Sequence, residues 1–372
     1  MKGSQITRAQ FAAAIFTGML SPMMGMLPRA AVRLAGKGAW LSAVPAFFGL
    51  LLLSALMNAL RRGMPPGEGM ANLILRVFGP AAGRVVLLLY GAWFLFYTGF
   101  VLRAGAERLT AAVYQESGTT PFILVMLALC AVTSLGTLRA AARTAVLIRS
   151  VLLAVLGAVA LFALWNLSAR NLFPLSPSDL PGIAMGSLPI LDVGGAAALF
   201  SFLSACAEPP ERSFRWVLPS LVLFTLISML LCLETVGTFG AGLTVRLSHP
   251  FFTMIRDVSV FHIAQRIEAV VIALWVFADY ILCSMLLRCA HEALRTLFGL
   301  PRPEGTPFFS LRRGRWLLLP EFGAAFAAAL LTARSASALV PWSERYVPML
   351  LCAFSFGGFG LLWLVGRLRK ML

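Results

Sequence analysis

Charge is what this chain has least of. Asp, Glu, Lys and Arg make up 12% of its 372 residues, whereas a soluble domain carries about 25%. The length would accommodate two or three soluble domains, but no stretch is polar enough to form one. Enzyme signatures are missing as well. The three histidines, His249, His262 and His291, are scattered, with no HExxH, no Gly-rich phosphate loop and no GxSxG. The six cysteines form no CxxC and lie mostly inside apolar runs. They read as small buried hydrophobes, without a disulfide framework or zinc site. Acidic residues number 15 against 31 Lys and Arg, for a net charge of +16. Those basic residues sit in short loops between apolar runs rather than on one face or tail. That distribution argues against nucleic acid and for orientation at an anionic bilayer surface. No small-residue cleavage site follows the first apolar run, which is therefore expected to be retained.

What the chain has instead is length of apolar run: it is 59% hydrophobic, with mean hydropathy +0.86. A helix needs about twenty apolar residues to cross the hydrocarbon core. Ten candidate spans cover residues 9–31, 39–60, 83–105, 121–138, 144–167, 182–206, 216–238, 264–288, 315–334 and 346–366. They are continuously apolar rather than alternating, which excludes a closed barrel. With the N-terminus inside, the larger share of Lys and Arg falls on inner loops, including Arg61, Arg62, Arg76, Arg84, Arg288, Arg295, Arg367 and Arg369. Both termini are therefore expected to be cytoplasmic, although Arg29, Arg33 and Lys37 form an outside cluster. Residues 68–79 have the spacing of a short interfacial helix, residues 239–263 suit a re-entrant or interfacial hairpin, and residues 289–314 read as a cytoplasmic loop.

Counted as two fives, the spans show matching interruptions. The first contains Gly18-Met19-Leu20-Ser21-Pro22-Met23-Met24-Gly25, and the sixth contains Gly186-Ser187-Leu188-Pro189 followed by Asp192-Val193-Gly194-Gly195. Broken helices in corresponding halves point to a binding site near the membrane midplane. Proline frees a carbonyl and glycine eases unwinding, and freed backbone groups must line a cavity or find partners. Gly18, Ser21, Pro22, Gly25, Gly194 and Gly195 are thus candidate ligand contacts, with ordinary proline kinks as the alternative. Asp192 suits a substrate ammonium or a coupling proton, unless it lies at the outer interface, where it costs little. Tyr97, seven residues from Tyr90 on one face of the third span, suits the side of a ligand or plain aromatic packing. Arg149, Glu268 and Asp279 are ionisable groups within or at the start of spans, suited to ion coupling or to a structural pair between Arg149 and Asp279.

Several ordered segments resemble one family. Ile6-Thr7-Arg8-Ala9-Gln10 precedes the first span, Ala35-Gly36-Lys37-Gly38-Ala39-Trp40-Leu41 opens the second, and Phe78-Gly79 with Gly83 opens the third. Gly136-Thr137-Leu138-Arg139 with Arg143 and Asn171-Leu172-Phe173-Pro174-Leu175 follow. Next comes the run His249-Pro250, Arg256, Phe261, Arg266, Glu268 and Trp275. Together they resemble the B subunit of spore germinant receptors, the GerAB-like spore permease family of the amino acid–polyamine–organocation superfamily. Lys37-Gly38 and Arg149 depart from the family pattern. The resemblance implies an all-α, ten-helix membrane fold, a five-plus-five inverted repeat with helices 1 and 6 broken (LeuT-like). One polytopic domain would fill residues 1–372, with repeats at about 9–167 and 182–366. It implies a non-enzymatic subunit of the spore inner membrane, without a cofactor, that binds a small nutrient of amino-acid type. It would act with A-type and C-type receptor subunits. A proton- or sodium-coupled amino acid permease of the cell membrane is the alternative.

Overall fold

In a computed structural model, the described residues are 6–65, 68–112, 118–135, 138–163, 167–206, 214–257, 264–300, 315–333 and 335–371. They build sixteen α-helices: α1 Arg8–Gly25, α2 Leu27–Ala35, α3 Ala43–Arg62, α4 Met70–Phe78, α5 Pro80–Ala112, α6 Thr119–Leu135, α7 Leu138–Ala163 and α8 Ala169–Leu172. Then follow α9 Leu180–Leu199, α10 Phe214–Arg246, α11 Pro250–Asp257, α12 Ala264–Leu297, α13 Leu318–Thr332, α14 Ala336–Pro341, α15 Val347–Cys352 and α16 Phe359–Leu368. Among the described residues, seven helical stretches are long and apolar enough to cross a membrane: Leu27–Arg62, Pro80–Thr110, Leu138–Leu161, Pro177–Ser204, Pro219–Arg246, Val271–Leu297 and Ser337–Leu368. Thr119–Thr133 and Leu318–Thr332 are shorter apolar helices.

Local chemistry sets the helix ends that position the centre. Thr7 and Gln10 form a capping box at the start of α1: the Thr7 hydroxyl accepts from the Gln10 N–H at 3.3 Å, and the Gln10 side chain accepts from the Thr7 N–H at 3.2 Å. α1 runs on through Pro22 and stops at Gly25. Met26 (φ −119°) separates it from α2, where Pro28 near the N-terminus tolerates its missing N–H. The helix expected over residues 68–79 is present as α4. Its Met70, Leu73, Ile74 and Val77 are buried and Asn72 is exposed, and it ends at Gly79 (φ +83°) before Pro80 begins α5.

α1 is enclosed by α7, α9, α10 and α12, while α5 packs along α12 and α13. The buried face of α1 includes Ala13, Ala14, Thr17, Gly18 and Ser21, small residues that let helices approach where no hydrophobic effect drives them together. Outward faces carry exposed Leu52, Leu88, Val132, Leu147, Leu319 and Leu331, an apolar surface suited to acyl chains.

Three expectations need correction. The sixth span is not broken at residues 186–196: α9 stays helical through Pro189, Gly194 and Gly195, and changes to 3₁₀ geometry only at Phe200–Cys206. Its glycines serve close packing instead, since a Cβ on Gly194 would stand 2.7 Å from Leu50 and one on Gly186 2.7 Å from Ala35. The loop expected from residue 289 begins later, because α12 continues to Leu297, and residues 301–314 lie outside the described set. The third span reaches Ala112 rather than 105. Two features went unforeseen: the last span contains π-helical turns at Trp342–Tyr346 and Ala353–Gly358, and α10 kinks at Gly240 (φ +72°). The expected hairpin appears as that kink followed by α11; residues 258–263 are outside the described set.

Candidate functional site

The interruption of α1 opens on a small cavity. Ser21, Pro22 and Gly25 contribute its wall from α1, Tyr97 and Arg108 from α5, Asp192 from α9 and Asp279 from α12. Ser343 in the first π-helical turn and Val347 and Pro348 in α15 close the remaining side. The cavity volume is about 40 Å³, room for one or a few waters.

Asp279 is the best-connected charge in it. It is only 2% exposed. The Ser21 hydroxyl donates to its Oδ1, and Arg108 pairs with its Oδ2. The Trp275 indole N–H in turn donates to the Ser21 oxygen at 2.9 Å. Arg108 also stacks over the Trp275 ring, 4.5 Å from its centroid, a favourable arrangement for a desolvated cation. Gly105 allows this geometry. A Cβ there would stand 2.9 Å from Asp279 Oδ2, so only glycine lets α5 come near enough for Arg108, three residues on, to reach across.

Asp192 is different. It is 7% exposed, faces the same cavity, and its Oδ1 has no hydrogen-bond partner. A buried carboxylate oxygen without a partner is costly. The wall therefore presents two carboxylates to one guanidinium, with one carboxylate unmatched. Tyr97, stacked between Trp93 at 5.4 Å and Phe100 at 6.3 Å, holds the α5 side of the cavity with a rigid aromatic face.

Of the candidates named from sequence, Ser21, Pro22, Gly25, Tyr97, Asp192 and Asp279 meet here. Gly18 packs on Leu282 of α12, Gly194 on Leu50 and Phe224, and Gly195 on Phe356 and Ser355. Gly25 has two roles, because a Cβ on it would stand 2.8 Å from the Trp275 ring. Arg149 is partly exposed on α7, and its Nε has no partner. The partners of Asp279 are Arg108 and Ser21, so the expected Arg149 pairing is replaced. The Glu268 side chain lies outside the described residues. Glu234, buried in α10 with Oε1 unpartnered, is not on the cavity wall. Sequence reasoning misses Arg108 because a third span that ends at residue 105 leaves it out. The helix formers Ala106-Glu107-Arg108-Leu109, with no Gly or Pro between Gly105 and Gly118, are the signal that the helix continues.

The spore germination protein family, the spore permeases, has a model that matches residues 5–311. The chain belongs to this family. No curated protein matches it at a significant level. Crystal structures of two single-residue mutants of the Eremococcus coleocola manganese transporter are similar in fold. Each is 15% identical, with TM-scores of 0.63 and 0.64, and each match covers 94% of this chain and 78% of the transporter. At that identity the likeness concerns the fold alone. Among the described residues, no group of three or more His, Cys, Asp or Glu is placed to hold a metal ion. This spore permease is thus an integral membrane protein with a transporter-type helical fold, in a family of membrane transport and receptor proteins rather than enzymes.

Proposed function

We propose that this spore permease is the membrane subunit of a nutrient-germinant receptor, and that a small nutrient of amino-acid type binds beside the α1 interruption, in an arrangement of the bundle that widens the inner cavity beyond its present volume of about 40 Å³. The observation that carries this reading is the unmatched Asp192 carboxylate facing that cavity, next to a closed Arg108–Asp279 pair. A ligand ammonium at Asp192 would complete the charge balance. Binding would favour one arrangement of the bundle and shift its population, and A-type and C-type subunits would carry that shift onward. The architecture we assign is ten crossings in a five-plus-five inverted repeat forming one polytopic domain, with repeats at about 9–167 and 182–366. Both termini would be cytoplasmic and the protein would reside in the spore inner membrane. The fold likeness to a transporter favours one second reading, a proton- or sodium-coupled amino acid permease.

The test uses spores of a deletion strain complemented with Asp192→Asn. Loss of the response to every amino acid that germinates the parent, at parental protein level, is expected. An unchanged dose–response would remove Asp192 from the site. Uptake of labelled amino acid into vesicles holding this chain alone would favour the permease.

A further inference from the structure

The Arg108–Asp279 pair has a second face. It lines the inner cavity on one side and, on the other, a larger one of about 270 Å³. This vestibule is bounded by α5, α11 and α12 and by Ser248-His249, where the chain turns from α10 into α11. Phe252, Ile272 and Trp275 give it apolar lining, and Arg108 and Asp279 supply its charges. Ligand sites span about 300–1,000 Å³, so the vestibule approaches the size of a small ligand, whereas the inner cavity does not.

Its charges have a simple complement. A guanidinium and a carboxylate side by side match the carboxylate and ammonium of a zwitterion, each bond charge-assisted. Exchanging the internal pair for such a head group leaves no charge stranded, which makes the exchange tolerable in a buried setting. His249 adds no second positive charge: burial, and after it the Arg108 guanidinium, push its pKa down to about 4. Its Nδ1 lies 3.4 Å from the Gly25 carbonyl oxygen and its ring meets Trp275 edge-on, with centroids 5.9 Å apart, so the vestibule wall touches the α1 interruption directly.

We propose that the vestibule is a second binding site, for an α-amino acid with an apolar side chain, which takes Arg108 with its carboxylate and Asp279 with its ammonium. Occupation there unlatches the wall between the two cavities. The inference rests on the inner cavity being the response site.

The probe is L-leucine, and the readout is the labelling rate of Ser248→Cys by a negatively charged thiosulfonate. The full chain in lipid nanodiscs carries Cys352→Ser, and the same protein without Ser248→Cys serves as blank. L-leucine should slow labelling saturably, by about tenfold at ten times its Kd. Leucinamide, which lacks the carboxylate, should not. The double variant Arg108→Gln/Asp279→Asn, which strands neither charge, should fold and lose the protection; Asp192→Asn should keep it. No slowing by L-leucine, equal slowing by leucinamide, or protection that survives the double variant or disappears in Asp192→Asn would each overturn the vestibule site. If protection is absent while Asp192→Asn spores still lose their response, the vestibule fails and the functional reading stands. If protection is present while Asp192→Asn spores respond normally, the vestibule stands and the functional reading fails.

Discussion

Two groups of buried charge lie about three turns apart along α12, and they are built differently. Near the helix end, His291 Nδ1 sits 3.0 and 3.2 Å from the two Glu321 oxygens. Arg295 donates to Glu292 at 2.9 and 3.3 Å and to the Leu300 carbonyl at 2.8 Å. There, each carboxylate has a side-chain partner. At Asp279 the pair is also matched, but it forms a wall between two cavities, and Asp192 across the inner one has an oxygen with no partner. The contrast teaches that burial of an ionisable group in a bundle does not by itself mark a site. Asp192 differs from the matched cluster in facing a cavity with an oxygen that has no partner.

Removing one charge from the wall should break the comparison most strongly. Asp279→Asn leaves Arg108 buried and uncompensated, and Arg108→Gln does the same to Asp279. Each should cost about 3–5 kcal/mol, with the double change milder than the sum. Thermal unfolding in detergent measures this, and strictly additive effects would show that the two do not act as a pair. Arg149→Gln, whose charge has no role in this wall, should shift the midpoint far less.

Filling space should come next. Gly25→Leu drives a side chain into Trp275, and Gly194→Leu drives one into Leu50 and Phe224. Overpacking of this kind costs about 1–3 kcal/mol. Gly25→Leu, on the cavity wall, should lose the nutrient response while the protein reaches the membrane, whereas Gly194→Leu, off that wall, should cost stability alone. Gly360→Leu, which meets open space, is the control. Normal sensitivity in Gly25→Leu at normal protein level would move the site elsewhere.

The matched cluster should respond in stability but not in sensing. Glu321→Gln weakens the bond to His291 and should cost about 1–3 kcal/mol. The germination midpoint, corrected for protein level, should stay where it is; a shifted midpoint would mean that this cluster also takes part in sensing.

The Asp192 side of the contrast is legible in the sequence, and much of its surroundings is not. Asp192, Asp279, Ser21 and Pro22 stand out because ionisable or helix-disturbing residues in apolar runs need a reason to be there. The interruption expected in the sixth span is absent because glycine eases close packing as readily as it eases unwinding, and in α9 it does the former. Arg108 is hidden by a span boundary placed about two turns early. The π-helical turn that holds Ser343 at the cavity arises from a change in hydrogen-bond register, which leaves no compositional mark.

A smaller effect concerns the vestibule wall. With its pKa lowered from 6.5 to about 4, His249 stabilises the fold in its neutral form. That contribution is present above pH 6.5 and is lost as pH falls toward 4. His249→Gln should flatten the fall in melting temperature across this window. An unchanged slope would show that other groups set it.

The stability effect should be smallest, and the functional effect plainest, at Asp192. Asp192→Asn replaces a buried carboxyl group whose Oδ1 has no partner, so the melting temperature should hold or rise. The direct measurement is the dose–response of germination in Asp192→Asn spores, read alongside the level of the protein in the spore membrane. The account predicts loss of response at parental level and undiminished stability. A normal response would contradict it.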